Sequence, residues 1–488
     1  MWITDFIRKV VNALFPRNSI EKKLDIKIAV SEKMERAIQL WSDMYVDAPP
    51  WKSDNCKTMN LPASIAHEFA RLITLENEIE ITGSPMADYL NEQFKKAMTN
   101  FTQKVELYCA KGGIAMKPYV NGDNIEIDFT QAECFYPTEY DSNGHITGAI
   151  FVDTVRDGKY LYTRLEIHRF LKNQKVKDEN GVERQTNKYV VENHAYRSEM
   201  LNSTSEDTSF ASVRDPLREE IPLTKVAQWA TLSPKAEMDD LEKPLFVYVR
   251  VPSANNVDTK SPLGASVYAR AIDAIKTADE QYTEAKFEFD ALEAAIDADA
   301  DLFKKQKDGT PILPTGKDRI FRTYDARMQD NAQPFLREFA PSFRDTSLFN
   351  GLDHFLKVVE LLVELTYGTI SNPTSVEKTA EEIKTSKQRS YSAVSNMQKA
   401  LDEGLKDLVY AMSVYAELYD LAPYGEYEVN IEWGDGILED IDKEFQRRWM
   451  MVAAGKLKAE KVLAWYFGCS EEEALEMMPD QMELPGME

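Results

Sequence analysis

The run Asp297-x-Asp299-x-Asp301 is the pattern in this sequence most similar to a metal site, because it resembles the opening of a calcium-binding loop. Such a loop needs a glycine at its sixth position for a sharp turn and a glutamate at its twelfth as a bidentate ligand. This chain has Leu302 and Asp308 there. The spacing therefore argues against calcium, and we expect no bound metal.

Catalytic motifs are also missing from the sequence. It contains no G-x-x-x-x-G-K-[ST] loop to hold phosphates, no G-x-S-x-G and no H-E-x-x-H. The five histidines are far apart in the sequence, and each fits a structural role better than a ligand role. We therefore expect no enzyme activity and no cofactor. The alternative is a metal-dependent hydrolase that uses scattered carboxylates, which no motif supports.

The composition narrows the class of protein. A chain of 488 residues allows roughly three domains. Its 58 basic and 82 acidic residues give a net charge of −24, which argues against a protein that binds DNA phosphates tightly. The 4 cysteines include no C-x-x-C pair, so a disulfide framework and a zinc site are not expected. A reducing compartment fits best.

Targeting and membrane signals are not predicted. The apolar positions of residues 1–15 follow a helical period, but Asp5, Arg8 and Lys9 interrupt them, so we expect a cytosolic chain whose first helix packs on its own protein. The most apolar long stretch, 348–365, contains five acidic, basic or histidine side chains. We therefore expect no contact with a membrane.

The first half of the chain predicts helices followed by strands. Residues 63–75 have helical periodicity, and Ser84-Pro85 is typical of a helix start. From about residue 104 to 253 we expect antiparallel strands, because residues 125–129 alternate strictly and tight-turn sequences occur at 141–144 and 156–159. The fold class is therefore α+β.

The second half predicts long helices around a small insert. One helix should begin at Ser261-Pro262, and a second should run from Ser342 to about Tyr367 and end at Gly368. The insert lies at 296–345. After the loop at 369–373, a helix should reach Leu421 and bend near Gly404, and residues 427–433 should form a strand.

The apolar positions of the 348–363 helix cover more than one face, so we expect it to be buried on two sides. Two explanations remain equally open. The helix could lie in the middle of a monomer core, or it could also pack against neighbouring subunits.

At this point the order of elements resembles the portal proteins of tailed bacteriophages, in the branch common in phages of Gram-positive bacteria. The resemblance spans nearly the whole chain and depends on the order of four stretches. They are 59–73 (MNLP through EFARLI), 261–273 (SPLGASVYARAID), 378–391 (KTAEEI through SY), and a C-terminal set made of 433–435 (WGD), 453–455 (AAG) and 471–474 (EEEA). One departure is the acidic stretch 288–301, where the family usually has a basic segment.

The resemblance implies a mainly helical portal fold and a ring of twelve subunits at one capsid vertex, through which DNA is packaged and ejected. It implies the following division of the chain: wing 1–255, first stem helix 256–290, clip 291–342, second stem helix 343–367, tunnel loop 368–376, long kinked helix 377–421 and crown 422–488. The implied location is the virion, with assembly in the host cytoplasm. The acidic composition suits a conduit, because an acidic wall repels DNA and keeps it mobile.

The resemblance also implies site residues and partners. The candidates for transient DNA contact are the loop residues Thr369, Ser371, Asn372 and Thr374, with Lys378 behind them. The candidates for docking partners on the clip are Lys304, Lys305, Lys307, Arg319 and Arg322. The candidates for packing between stems are Val267, Ile272, Leu352, Phe355, Val359 and Leu362.

The implied partners are double-stranded DNA without sequence specificity, the large subunit of a separate terminase motor, a head-to-tail connector or adaptor, and scaffolding and major capsid proteins. A scaffold or adaptor without a channel is the remaining alternative.

Overall fold

The computed structural model describes residues 15–75, 77–177, 183–201, 213, 215–291, 295–299, 321–324, 336–339, 345–372, 380–434, 441–467, 470 and 474–475. In these ranges the protein is a mixture of helices and sheets, as the sequence predicts. Helical segments near both ends of the described chain flank a region of mainly antiparallel sheets.

Helices dominate the first part of the chain. They are α1 (Phe15–Leu24), α2 (Glu32–Tyr45), α3 (Leu61–Ile73), α4 (Pro85–Ala97) and α5 (Phe101–Lys111), with strand β1 (Glu78–Thr82) before α4. The predicted start at Ser84-Pro85 is confirmed, because the Ser84 hydroxyl accepts a hydrogen bond from the Ala87 N–H and caps α4.

The strand region begins later than the sequence predicts. Residues 104–111 belong to α5, which packs on α3, and Gly112 ends this helix with a φ of +81°. A side chain on Gly112 would also place its Cβ 2.6 Å from the Gly264 carbonyl oxygen. The sequence of residues 104–111 alone is compatible with a strand, but packing on α3 stabilises a helix there.

Two sheets follow α5. Strands β2 (Gly113–Asn121), β3 (Asn124–Gln131) and β10 (Val247–Arg250) form the first, in the order β10-β2-β3. The second has the order β4-β5-β6-β7-β8, and β9 also pairs with β7. Its strands are β4 (Phe135–Tyr140), β5 (Ile146–Asp157), β6 (Tyr160–Lys177), β7 (Glu183–Glu199), β8 (Glu219–Ile221) and β9 (Lys235–Asp239). The predicted strand at 125–129 and the turns at 141–144 and 156–159 are confirmed.

A small sheet lies between two helices in the chain order. The helices are α6 (Ile272–Ala291) and α7 (Asp345–Leu362), and β11 (Ala295–Asp299) pairs with both β12 (Phe321–Tyr324) and β13 (Leu336–Phe339). Arg270 beside the start of α6 lies 3.6 Å from Glu364 beyond the end of α7. Farther along, the Cβ position of Gly351 faces Gln281 at 3.6 Å. The two helices are therefore antiparallel.

Two predicted helix ends are wrong. Residues 262–271 are not helical, and only 267–270 form a turn, so the first helix begins at Ile272 and not at Ser261-Pro262. Helix α7 ends at Leu362, because Glu364 adopts a left-handed φ of 64° and the Leu365 N–H donates to the Glu360 carbonyl. This geometry is a Schellman motif formed by a residue other than glycine, which sequence patterns disfavour.

The rest of the described chain consists of α8 (Ala380–Leu418), β14 (Glu428–Glu432), α9 (Ile441–Ala453) and α10 (Ala459–Phe467). Helix α8 continues through Gly404 without interruption, and a Cβ there would lie 2.2 Å from a Val249 methyl group. Close packing on β10 thus explains this glycine better than the predicted bend. The predicted strand at 427–433 is confirmed as β14, and it pairs with β1.

Candidate functional site

The loop between α7 and α8 is held by a buried carboxylate. Glu360 in the last turns of α7 has no exposed surface. Its Oε1 accepts hydrogen bonds from the N–H groups of Gly368 at 3.1 Å, Ile370 at 2.6 Å and Ser371 at 2.9 Å, and its Oε2 accepts from the Ser371 hydroxyl at 2.8 Å. Backbone N–H groups that converge in this way form an anion-binding nest, which the chain here fills with its own side chain.

A second carboxylate on α7 contacts the end of the same loop. Asp353 Oδ1 accepts a hydrogen bond from the Asn372 N–H at 2.9 Å, and Lys357 lies 2.7 Å from its Oδ2. The hydrogen bond from Lys357 is the main reason that the pKa of Asp353 lies below its ordinary value. Because Asp353 and Glu360 are two helical turns apart, α7 presents both carboxylates to the loop from one face.

Helix α8 holds the beginning of the loop. The Ser390 hydroxyl lies 2.8 Å from the Thr366 hydroxyl and donates to the Glu364 carbonyl at 3.3 Å. Gly368 adopts a φ of +90°, which a residue with a side chain rarely accepts. Hydrogen bonds to both helices and one glycine conformation therefore define the path of residues 364–372.

The predicted loop residues differ in accessibility. Thr369 and Asn372 are exposed, in agreement with a surface that can touch a ligand. Ser371 is buried, and its hydroxyl is bound to Glu360. In this arrangement Ser371 holds the loop, and its contact with DNA stays a prediction. Thr374 and Lys378 lie outside the described residues.

The predicted clip residues are mostly outside the described ranges. Lys304, Lys305, Lys307 and Arg319 belong to this group. Arg322 lies on β12, where its register partner on β11 is Asp297. The structure thus places one of the five predicted clip residues on a strand of the small sheet.

The predicted stem residues are largely part of the chain's own core. Val267, Ile272, Leu352 and Phe355 are half-buried and pack against it. Val359 is fully buried within the chain, and its packing between subunits stays a prediction. Leu362 is the predicted stem residue that is exposed, at 36 %. Apolar periodicity identified the helix but could not show which of its faces the chain itself covers.

Other apolar side chains on the helix pair are more exposed than the predicted ones. Phe287 on α6 is 70 % exposed and Leu361 on α7 is 42 % exposed. The helical pair α9–α10 also leaves large apolar side chains exposed, among them Trp449, Met450 and Phe467. The run Trp449-Met450-Met451 is the sequence signal that could have indicated this surface.

The most strongly charged buried cluster lies between the two sheets. Glu166 on β6 bonds to Lys117 on β2 at 2.5 Å, and it also contacts Arg164 at 3.0 Å and His168 at 2.8 Å. Burial alone would raise the pKa of Glu166, but Lys117, His168 and Arg164 together hold it well below its ordinary value. His168 also lies 2.6 Å from the Tyr189 hydroxyl, and burial is the main cause that lowers the pKa of its imidazole.

This cluster joins two sheets and has the features of a structural ion-pair network. Lys117 also lies over the ring of Phe151, with 4.7 Å to its centre, and the rings of Phe151 and Phe246 meet the His168 ring edge to face. Lys117, Glu166 and His168 are all buried, so a substrate has no direct access to them. The geometry therefore supports cohesion between sheets and not acid–base catalysis.

Within the described residues, no three or more histidine, cysteine or acidic side chains come together as a metal-binding group. In the same part of the chain, none of the helices combines the length and apolar character needed to span a bilayer.

Comparisons with known proteins do not identify a family for this chain. No protein-family model matches the chain, and no curated protein does. Among solved structures, a chain from the "Virion of native gene transfer agent (GTA) particle" is similar in fold, with a TM-score of 0.39 and 10 % sequence identity over 84 % of this chain and 90 % of that one. A likeness this weak carries no argument about function.

Proposed function

We propose that the chain is a portal protein that forms a ring of twelve copies at a capsid vertex, through which DNA is packaged and ejected. The observation that carries this proposal is the order of elements from α6 to α8. Two antiparallel helices are separated along the chain by a small sheet. A hydrogen-bonded loop then leads into a helix of 39 residues. This order follows the stem, clip, stem, tunnel loop and long helix that the sequence resemblance implies.

Exposed apolar side chains support a ring of identical copies. Phe287 and Leu361 lie on the proposed stem helices and leave much of their surface exposed in a single chain. Burying apolar surface contributes about 25 cal/mol per Å², so helices with such residues favour association with other copies. In the proposed ring, a neighbouring stem covers these side chains.

The charge balance supports a conduit and not a tight DNA-binding protein. A net charge of −24 repels the duplex, and transport needs weak, sequence-independent contact. Thr369 and Asn372, which are exposed, are the proposed transient contacts, with Thr374 and Lys378 as further candidates. The protein itself is proposed to be non-enzymatic and to bind no cofactor, because a separate terminase motor hydrolyses ATP.

The remaining partners follow from the proposed division of the chain. The clip residues Lys304, Lys305, Lys307, Arg319 and Arg322 are proposed to dock the terminase large subunit and the head-to-tail connector. Scaffolding and major capsid proteins are further proposed partners. The proposed location is the capsid vertex of the virion, after assembly in the host cytoplasm.

The test is the oligomeric state of the purified full chain. We expect light scattering to show a large oligomer and averaged electron micrographs to show rings with a central hole. Leu361→Glu should weaken the ring without unfolding the chain, whereas Asn350→Glu at an exposed polar position of the same helix should not. A monomer at every salt concentration, or a closed particle without a hole, would overturn the proposal; metal-dependent hydrolysis would support the hydrolase alternative.

A further inference from the structure

The position of Glu360 is unusual for an acidic side chain. It has no exposed surface, and among the described residues no Lys, Arg or His forms an ion pair with it. A buried carboxylate is stable only if hydrogen-bond donors replace its water shell. Glu360 therefore depends on the donors of the loop that follows its own helix.

These donors all come from a segment of four residues. Gly368, Ile370 and Ser371 provide three N–H groups and one hydroxyl, and each points at the same carboxylate. The Asn372 N–H is bound separately by Asp353. If the segment moved away from α7, it would leave the buried carboxylate without partners. The segment and the helix are therefore energetically coupled.

The residues before this segment contact α8 through neutral groups. Thr366 and the Glu364 carbonyl form hydrogen bonds with Ser390 of that helix. Hydrogen bonds to a charged group are roughly twice as strong as bonds between neutral groups. The loop should therefore follow α7 and not α8 when the two helices shift relative to each other.

We propose that Glu360 is a positioning residue that fixes residues 368–372 to α7, so that the exposed Thr369 and Asn372 move together with this helix. The meaning of this coupling for DNA depends on the proposed function, since only a conduit makes the position of the loop important for transport. The coupling itself is a property of the chain and can be measured without DNA.

The test is hydrogen exchange, followed by mass spectrometry, of the full chain in its native oligomeric state. Glu360→Gln keeps the size of the side chain but places an amide N–H₂ group at one of the two oxygen positions, and the Gly368 N–H faces both, at 3.1 Å from Oε1 and 3.2 Å from Oε2. We expect amides 368–372 to exchange at least about tenfold faster, while the amides of 346–358 remain unchanged. The matched control is Glu403→Gln, at an exposed position of α8.

A second variant covers the possibility that Glu360→Gln does not fold. Ser371→Ala removes one of the four donors and leaves the carboxylate, so it should accelerate exchange of the same amides to a smaller extent. Unchanged exchange of 368–372 in a folded Glu360→Gln variant would overturn the proposal. So would an equal acceleration throughout the chain, which would indicate general destabilisation.

A packaging assay separates this inference from the proposed function. If Glu360→Gln rings show faster loop exchange and reduced DNA packaging, both are supported. If exchange increases and packaging is unchanged, the positioning role of Glu360 stands and the loop's assigned role in DNA transport is wrong.

Discussion

The regions around Glu166 and Glu360 each bury a carboxylate, but they stabilise it in different ways. Glu166 lies between two sheets and is surrounded by Lys117, Arg164 and His168. Glu360 lies at the end of a helix, and its described partners are the neutral donors of one short loop.

The difference shows what each carboxylate can control. Removing Glu166 would take the nearest carboxylate from the buried Lys117 and from the half-buried Arg164, and would leave them Asp128 at 3.9 Å and Asp153 at 3.5 Å, respectively. Residues on rigid strands cannot move far to reach water. Removing Glu360 would leave N–H groups of a loop, which can turn toward solvent. The first carboxylate therefore controls whether the sheets hold together, and the second controls where a loop lies.

The largest effect is expected for Glu166→Ala. Because Lys117 would remain charged and buried without its closest carboxylate, the free energy of unfolding should fall by about 3–5 kcal/mol, as measured by urea denaturation. Glu92→Gln, which breaks the exposed Glu92–Lys96 pair, should cost no more than about 0.5 kcal/mol. Equal effects of the two substitutions would show that the cluster around Glu166 is not a cohesive unit.

A smaller loss of stability is expected for Glu360→Ala. The freed loop donors can find water after a local rearrangement, so the free energy of unfolding should fall by about 1–3 kcal/mol. The same urea titration measures it. A loss as large as that of Glu166→Ala would contradict the distinction between a sheet contact and a loop contact.

The cluster around Glu166 should also make stability depend on pH. Burial lowers the pKa of His168 below 6.5, so the unfolded chain takes up a proton as the pH falls through that value while the folded chain does not. Stability should therefore decrease as the pH falls from 7 to 5. The groups that face His168 are Glu166, Lys117, Arg164 and Tyr189, and Glu166 should add a further loss below pH 4.5.

The measurement is the free energy of unfolding of the wild type and of His168→Gln at pH 7 and pH 5. The variant should lose less stability between these two values. An identical loss in both proteins would show that His168 does not cause the pH dependence.

The smallest effect on stability is expected for the double variant Thr369→Ala and Asn372→Ala. Both residues are exposed, so the free energy of unfolding should stay within about 0.5 kcal/mol of the wild type. In the proposed conduit, the rate of DNA packaging should nevertheless change while the rings stay intact. A normal packaging rate would argue against contact between these side chains and DNA.

Local sequence patterns predicted several elements well. The strict alternation at 125–129 and the turn sequences before β5 and β6 determine structure over a few residues, and both were confirmed. The late start of α6 and the early end of α7 depend on distant contacts and on a left-handed Glu364. Such features are not encoded in the neighbouring residues.

The candidate site was predicted in position but not in detail. The polar run at 369–372 indicated a loop after a helix, and the structure has one there. The run could not show that Ser371 is buried, because this depends on Glu360 eleven residues earlier. The sequence does contain one indication of this contact: Glu360 is an acidic residue between Val359 and Leu361 in an apolar helix, where a charged side chain needs a buried partner.

The pairing of β1 with β14 connects Ile79 to Ile431, two residues separated by most of the chain. A ribosome makes β1 long before its partner exists, so this strand must wait unpaired until residues 428–432 have been made. Contacts between such distant segments form slowly, and an unpaired strand edge promotes aggregation. Chains that stop before residue 428 therefore lack this ladder and leave that edge of β1 unpaired.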